Sequence, residues 1–352
     1  MSEPSRGWAD APSRSQVSEA VARLSSKGLS ALGYPEAELE RLASLVVRIE
    51  RLKAEKNAVI PVHVYQRPEV IHGIADFVGD SYTLAKLCSG TGAGTIVFCG
   101  VSFMAETAKI LSPGKTVLLP APEAGCSLSE SITAADIRRL KARHPGAPVA
   151  TYINTTAAAK AESDVIVTSA NAGRILEKLY RTHKKVIFLP DMLMGQNLAK
   201  QLGKTPGKDI ILWKGTCIVH DNFDVSSVAL YRSMYPGVRI LAHSECSPSL
   251  VSVVDFVGGT GDMMRYLESS NAPCFMLVTE CGLGELARTR FPAKRFVPMC
   301  RLCPYMKAVT LERVLSVLEA PSPADIVEVD PKAAAGARRS LEKMFELAEE
   351  GA

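Results

Sequence analysis

The sequence of 352 residues is long for a single hydrophobic core and fits two or three compact units. Hydrophobic residues make up 47% and charged residues 22%, as is ordinary for a soluble globular enzyme, and the formal net charge is only +4. This balance argues against a nucleic-acid-binding protein. No stretch approaches the roughly 18 consecutive apolar residues of a membrane span.

Cysteine usage indicates a reducing compartment. The chain has nine cysteines, an odd number with uneven spacing, which is not typical of a secreted disulfide framework. The first residues carry acids and prolines and lack the apolar stretch of a signal peptide. We therefore expect a cytoplasmic protein.

The chain begins with a tail, to about residue 15, that we expect to be disordered. Apolar periodicity then predicts helices from Val17 to Leu24 and from Glu36 to Lys56. A last charged helix is predicted from Pro331 to Glu349. The predicted division is a lead-in over 1–56, α/β repeats over 57–143, 144–234 and 235–322, and a C-terminal helical segment over 323–352.

Three segments that end in a cysteine indicate the repeats. The cysteines are Cys126, Cys217 and Cys303, at spacings of about 91 and about 86 residues. In each repeat, short β-branched runs alternate with helical patterns, which predicts a parallel sheet with crossover helices. The expected fold is α/β, with three pseudo-threefold-related repeats, each a small parallel sheet flanked by helices, around a central active-site cavity.

The three cysteines are predicted to end strands and to form a ring of thiolates in that cavity, since open α/β sheets bind ligands beyond the carboxyl ends of their strands. Three ligands leave one metal position open. We favour a 4Fe-4S cluster with one iron lacking a protein ligand, and zinc with a bound water is the competing metal. Spacing does not separate Cys303 from Cys300, its CxxC partner. Packing accounts better for the remaining cysteines, which are Cys88, Cys99, Cys246, Cys274 and Cys281.

A second ring comes from pairs of polar residues two positions apart. The pairs are His63 with Tyr65, Tyr152 with Asn154, and His243 with Glu245. Residues two apart share one face of a strand, so each pair points together. Recurrence in three repeats favours proton-transfer and hydrogen-bonding groups that face the cavity.

A third ring is formed by the hydroxyl residues Ser81, Ser169 and Thr260, which we predict to be helix N-caps. Three helix N-termini around one cavity favour a small anionic substrate. His220, on the loop after Cys217, either lines the cavity or satisfies a loop carbonyl, and we count it as a candidate substrate contact. Glu280 is a weaker candidate of the same kind.

Together these residues lie in motifs that resemble those of the quinolinate synthase family. They include His63-Val-Tyr-Gln-Arg-Pro-Glu-Val, Glu123-Ala-Gly-Cys-Ser-Leu, Lys160-Ala-Glu-Ser-Asp, His243-Ser-Glu-Cys and Cys303-Pro-Tyr-Met-Lys. The resemblance extends from about residue 37 to about residue 350. No single short motif carries it, and the set is highly specific.

The resemblance implies a condensation of iminosuccinate (iminoaspartate) with dihydroxyacetone phosphate to quinolinate, phosphate and water, in de novo NAD biosynthesis. It implies a 4Fe-4S cluster on Cys126, Cys217 and Cys303, which selects the second cysteine of the CxxC. The implied iminosuccinate contacts are His63, Ser81, Tyr152, Asn154, Ser169, His243, Glu245 and Thr260. Tyr65 and Glu245 are implied in proton transfer, and we count His63 and Tyr152 with them as catalytic candidates.

Two other functions stay open from the residues alone. One is a non-catalytic iron-sulfur sensor, which would leave the converging His, Tyr and Glu side chains unexplained. The other is a zinc-thiolate hydro-lyase on the same cavity. A functional link to the L-aspartate oxidase that makes the unstable imine is an expectation that no residue supports. Nucleic acid and membrane are not expected partners.

Overall fold

The computed structural model describes residues 11–349. We expected the chain to be disordered to about residue 15, and residues 1–10 of that segment lie outside the described range. The expectation is wrong for residues 14 and 15, because Ser13 caps a helix that begins at Arg14.

The helices follow the predicted order along the chain. They are α1 Arg14–Ser26, α2 Glu36–Glu55, α3 Pro68–Ile74, α4 Ser81–Gly90, α5 Ser102–Leu111, α6 Ser127–Glu130, α7 Ala134–Arg143, α8 Ala157–Ala161, α9 Ala172–Tyr180, α10 Met192–Gln201, α11 Val225–Met234, α12 Pro248–Val251, α13 Thr260–Ser269, α14 Cys281–Arg290, α15 Pro304–Lys307, α16 Leu311–Glu319 and α17 Pro331–Glu349. The two lead-in helices and the closing helix are therefore confirmed. Within residues 11–349, no helix is both long enough and apolar enough to span a membrane.

Thirteen short strands lie between these helices in the described chain. They are β1 Ala58–Val59, β2 Pro61–His63, β3 Phe77–Gly79, β4 Thr95–Val97, β5 Thr116–Leu118, β6 Val149–Tyr152, β7 Val165–Val167, β8 Val186–Leu189, β9 Ile210–Leu212, β10 Arg239–His243, β11 Phe256–Gly258, β12 Cys274–Val278 and β13 Arg295–Phe296.

The strands form four parallel sheets, one in each of the second and third repeats and two in the first. The second and third repeats have the orders β7-β6-β8-β9 and β11-β10-β12-β13, with every pair parallel. In the first repeat the corresponding strands form two sheets, β2-β3 and β1-β4-β5. A parallel bridge between Val62 and Cys99 connects these two sheets. The predicted α/β fold of three related repeats of parallel strands is confirmed.

One aspartate in each repeat holds the start of the strand that leads to the cavity, which is β2, β6 or β10, in the same way. The carboxylates of Asp76, Asp164 and Asp255 each accept a hydrogen bond of 2.8 Å from the backbone N–H of Ile60, Val149 and Ile240, respectively. Each aspartate also pairs with a cation on the helix before that strand, namely Lys53, Lys141 or Arg232. The three strands therefore begin with one local structure, and their carboxyl ends point in equivalent directions in the three repeats.

The helices cover the outer faces of the sheets. The apolar stripe of α2, which includes Leu39, Leu42, Val46 and Ile49, is fully buried, and α2 packs on α1, α3 and α16. Helix α17 lies across the first two repeats, where it contacts α5, α8, β7 and α9. The division of the chain at residues 57, 144, 235 and 323 remains a prediction.

The α17–α8 contact depends on a glycine. A Cβ built on Gly336 would lie 2.8 Å from the Cβ and 3.0 Å from the Cα of Ala161. Gly336→Ala should therefore lower the free energy of unfolding by about 1–3 kcal/mol, as measured by urea denaturation. Gly284→Ala, in α14 with nothing within 4 Å of the added atom, is the control. It should raise stability by about 0.5–1 kcal/mol, and equal effects of the two substitutions would contradict this packing.

Candidate active site

The carboxyl ends of β2, β6 and β10 surround one cavity, in which about 80 Å³ is open to the centre of a water-sized molecule. All thirteen candidate side chains line it: His63, Tyr65, Ser81, Cys126, Tyr152, Asn154, Ser169, Cys217, His220, His243, Glu245, Thr260 and Cys303. Glu280 lines it as well.

The three cysteines reach the cavity from loops, so the prediction that each ends a strand is wrong. Strands β5, β9 and β13 end at Leu118, Leu212 and Phe296, several residues earlier. The loops between allow each cysteine to begin a helical turn instead. Cys126 and Cys303 are the N-caps of α6 and α15, and Cys217 precedes the 3-10 turn of residues 220–222.

Backbone N–H groups of the residues two and three positions later lie near each of the three sulfurs and act to lower its pKa. These donors are Leu128 and Ser129, Val219 and His220, and Tyr305 and Met306. Burial nevertheless raises the pKa of all three thiols, to about 12 at Cys126 and well above the ordinary value at Cys217. The backbone N–H groups thus favour a sulfur ligand at each of the three positions. Burial opposes ionisation of the thiols, so a thiolate there requires the positive charge of a bound group.

Cys300 is not part of this arrangement. It forms a disulfide with Cys281, with a Cα–Cα distance of 4.8 Å, so packing alone does not account for Cys281. A separate contact holds the neighbouring Cys303, whose backbone N–H donates to the Glu280 carboxylate at 3.1 Å. Geometry therefore places the second cysteine of the CxxC in the cavity and the first outside it.

His63 and His243 have equivalent hydrogen bonds in the first and third repeats. The Nδ1 of each ring accepts the backbone N–H two residues later, at 3.2 Å from Tyr65 and 3.3 Å from Glu245. Burial lowers the pKa of each imidazole to about 3, so both rings are neutral at physiological pH. Their proton therefore lies on Nε2, which makes each ring a neutral hydrogen-bond donor.

Glu245 is a carboxylate buried at the centre of the site. Its two oxygens contact the Tyr152 hydroxyl at 2.5 Å and the His220 Nδ1 at 2.8 Å. Burial opposes ionisation, but His243 and His220, with the hydrogen bonds from His220 and Tyr152, hold the pKa of this carboxyl well below its usual range. Glu245 is therefore a buried anion with two directed donors. His220 contacts this carboxylate and lines the cavity, so the alternative of a histidine that only satisfies a loop carbonyl is wrong.

Sequence reasoning missed Thr279 and Lys307. Thr279 is fully buried, and its hydroxyl contacts the Tyr65 hydroxyl at 2.7 Å and the His220 Nε2 at 3.0 Å. Lys307 donates to the Tyr65 carbonyl at 2.6 Å and pairs with Glu280 at 3.3 Å. Neither position recurs in the other repeats, so periodicity carried no signal for them. Lys307 ends a motif that carried the family resemblance, which was the available signal.

The three hydroxyl residues line the cavity, but the prediction that they are N-caps is wrong. Asp80 and Gly259 occupy the N-cap positions of α4 and α13, so Ser81 and Thr260 are the first helical residues. Ser169 lies in the turn before Asn171, the N-cap of α9. Capping therefore does not use these hydroxyls, which remain available to a ligand.

Comparison with known proteins agrees with this geometry. The family model described as "Quinolinate synthetase A protein" matches residues 47–346. The chain belongs to the quinolinate synthase family.

Relatives support the assignment over most of the chain. Quinolinate synthase 2 of Mesorhizobium japonicum is 45% identical over 311 residues, covering 88% of this chain and 94% of the relative. Quinolinate synthase of Sinorhizobium fredii is 44% identical, covering 89% and 85%. Quinolinate synthase of Xylella fastidiosa is 44% identical, covering 85% and 86%. The family resemblance seen in the sequence motifs is confirmed, and with it the membership of a family of enzymes of NAD biosynthesis.

In this quinolinate synthase family member, the residues that line the cavity include no lysine or arginine within the described range 11–349. They do include the acids Asp80, Glu245 and Glu280 and the three thiols. Two buried oxygens at the cavity, Asn154 Oδ1 and Thr168 Oγ1, have no protein hydrogen-bond partner. An anionic ligand would therefore depend on neutral donors, helix N-termini and the charge of a bound metal group.

The two buried histidines should make stability fall with acid. Below about pH 6.5, the ordinary pKa, the unfolded chain binds protons on both rings that the folded protein excludes until about pH 3. Each ring then contributes a slope of about 1.4 kcal/mol per pH unit. His63→Gln should reduce the slope of unfolding free energy by about that amount between about pH 6.5 and 5, as measured by urea denaturation.

The control for this prediction is the same comparison above about pH 7.5, where both states of the ring are neutral and the slopes should agree. An unchanged slope at acid pH would mean that His63 is already protonated in the folded protein.

Proposed function

We propose that the protein is a quinolinate synthase that condenses iminosuccinate with dihydroxyacetone phosphate to quinolinate, phosphate and water. The observation that supports this proposal most directly is that three equivalent cysteines and the buried network of His220, Glu245 and Tyr152 line one cavity. The chain that forms this cavity belongs to the quinolinate synthase family. A four-carbon imine and a three-carbon triose supply the seven carbons of the product. Both substrates are small anions.

The donor set fits a 4Fe-4S cluster on Cys126, Cys217 and Cys303. The three cysteines come from equivalent loops of the three repeats and line one cavity. Three thiolates hold three irons of such a cluster and leave the fourth iron without a protein ligand. When bound, such a cluster supplies an iron without a protein ligand as a Lewis acid for loss of water.

The neutral imidazoles and hydroxyls are placed to bind the dicarboxylate. His63 and His243 present Nε2–H donors, and Ser81, Ser169 and Thr260 offer hydroxyls beside helix N-termini. Asn154 adds a side-chain amide. Neutral donors orient a carboxylate without forming an ion pair, so the substrate can change charge during the reaction without being trapped.

Tyr65, Tyr152 and Glu245 are the groups that we assign to proton transfer. Burial raises the pKa of both phenols well above the ordinary value, so each phenol holds its proton at neutral pH. Glu245 remains ionised and accepts from Tyr152 at 2.5 Å. The cavity thus contains an acceptor and two protonated phenols within one hydrogen-bonded set, as alternating proton removal and dehydration require.

One observation favours the competing zinc hydro-lyase. The donor atoms of Cys217, His220 and Glu245 lie within 4.8 Å of one another, which is the arrangement of a single-ion site. Against it, both ring nitrogens of His220 are already hydrogen-bonded, one to Glu245 and the other to Thr279. A zinc ligand requires a free, unprotonated nitrogen.

We also propose a cytoplasmic location and a functional link to the L-aspartate oxidase that supplies iminosuccinate. The unstable imine favours a nearby source, and cluster chemistry favours a reducing compartment. Disulfides are uncommon there, so we expect the Cys281–Cys300 pair to be reduced in the cell.

An anaerobic assay with dihydroxyacetone phosphate and freshly generated iminosuccinate tests the proposal. Cys303→Ala should lower quinolinate formation by more than about 100-fold and should remove the cluster iron and its absorption. This loss exceeds the loss caused by substituting a residue that only supports a metal ligand. Cys300→Ala is the matched control three residues away, because Glu280 still holds the Cys303 loop. It should keep both iron and activity.

Two outcomes would contradict the assignment. If the wild type holds a full cluster but makes no quinolinate, the substrate assignment fails and the sensor alternative gains support. If metal analysis finds stoichiometric zinc and no iron in anaerobically purified active protein, the cluster assignment fails.

A further inference from the structure

Lys160 is a buried cation that the proposed mechanism does not use. It begins the motif Lys160-Ala-Glu-Ser-Asp, and its side chain is fully buried. Burial lowers the pKa of this ammonium to about 8, so the group still carries its charge at pH 7. A buried charge is costly unless other groups compensate it, so the surroundings of Lys160 indicate what the charge is for.

The direct contacts of the ammonium are with uncharged groups. It donates to the carbonyl of Thr155 and lies over the ring of Phe103, 5.3 Å from the ring centroid. Among residues 11–349, no carboxylate forms an ion pair with Lys160. The carbonyl and the ring face offset part of the cost of burial, but neither of them neutralises the charge.

Both contact groups belong to the wall of the central cavity. Phe103 lines the cavity, and Thr155 directly follows the lining residues 152–154. Lys160 does not line the cavity itself, so its ammonium lies behind this wall. One of the negative groups that act to raise its pKa is Cys126, which also lines the cavity. The charge therefore acts on the cavity across a layer of protein that excludes water from the ammonium.

The lysine on the other side of the cavity differs in this respect. Lys307 donates to the carbonyl of Tyr65, and it pairs with the carboxylate of Glu280 at 3.3 Å. That carboxylate offsets the charge of Lys307. Lys160 has no such partner, so less of its positive potential is cancelled before it reaches the cavity.

We infer that Lys160 supplies positive potential to the cavity from behind its wall and thereby raises the affinity of the cavity for a dianionic dicarboxylate. The inference rests on the proposed function, which assigns a small dicarboxylate substrate to this cavity. Lys160 acts without touching the substrate, so it is not a catalytic residue. Because the effect depends on the charge of the ligand, it is larger for a dianion than for a monoanion of the same shape.

Succinate and its monoamide succinamate separate this electrostatic role from a structural one. The two molecules have the same carbon chain, but near pH 7 succinate carries two negative charges and succinamate carries one. Lys160→Met removes the charge and keeps an unbranched apolar side chain. In cluster-loaded Lys160→Met, the Kd of succinate should rise at least about tenfold and that of succinamate only about threefold. Anaerobic calorimetric titration at pH 7 measures both values.

Lys115→Met is the matched control. The ammonium of Lys115 also donates to backbone carbonyls, those of Thr91 and Ala93, but this lysine does not line the cavity and contacts no residue of its wall. Both ligands should keep their Kd within about twofold of the wild type in this variant. Cluster absorption and the thermal midpoint show that each variant is loaded and folded. If Lys160→Met does not fold, Lys160→Gln, which also lacks the charge, carries the same expectation.

The outcomes separate this inference from the proposed function. A wild type that binds succinate, with an equally tight Lys160→Met, would overturn the inference alone. So would an equal loss of affinity for the two ligands, because that result indicates a structural role. A cluster-loaded wild type that binds no dicarboxylate would overturn both. A charge-dependent loss in a protein that makes no quinolinate would support the inference and overturn only the proposed reaction.

Discussion

The buried carboxylate of Glu245 is the constraint on which the site depends. A charge removed from water must be satisfied by donors. Tyr152 and His220 of the second repeat supply them directly, at 2.5 and 2.8 Å. Through Thr279 the same network reaches Tyr65 of the first repeat. One anion therefore fixes the relative positions of side chains from all three repeats and sets the direction in which each donor points.

The thiols create the complementary requirement. Three half-buried cysteines and three acids, Asp80, Glu245 and Glu280, share a cavity that no lysine or arginine lines within residues 11–349. Paired backbone N–H groups at each sulfur offset only part of the cost of burying a thiolate, because burial still raises the pKa of all three thiols. The metal group that we propose on the three cysteines would offset part of the negative charge of the thiolates.

Periodicity in the sequence predicted what recurs and missed what does not. The α/β repeats and twelve of the thirteen cavity residues followed from equivalent positions in three segments, and His220 followed from its place just after Cys217. Local details were wrong where a neighbouring residue competes for the same role: Asp80 and Gly259 take the N-cap positions expected of Ser81 and Thr260. Thr279 had no recurrent signal, because the residues before the N-caps of α5 and α10 are Gly100 and Pro190. Its contacts with Tyr65 and His220 join different repeats and arise only in the folded structure.

The most direct test of the central claim is a Mössbauer spectrum of anaerobically prepared protein labelled with isotopic iron, recorded with and without a dicarboxylate analogue of iminosuccinate. A four-iron cluster on three cysteines predicts one iron site that differs from the other three and that changes when the analogue binds in the cavity. Four equivalent irons that do not respond to the analogue would contradict the open-site cluster, and with it the account of how this cavity works.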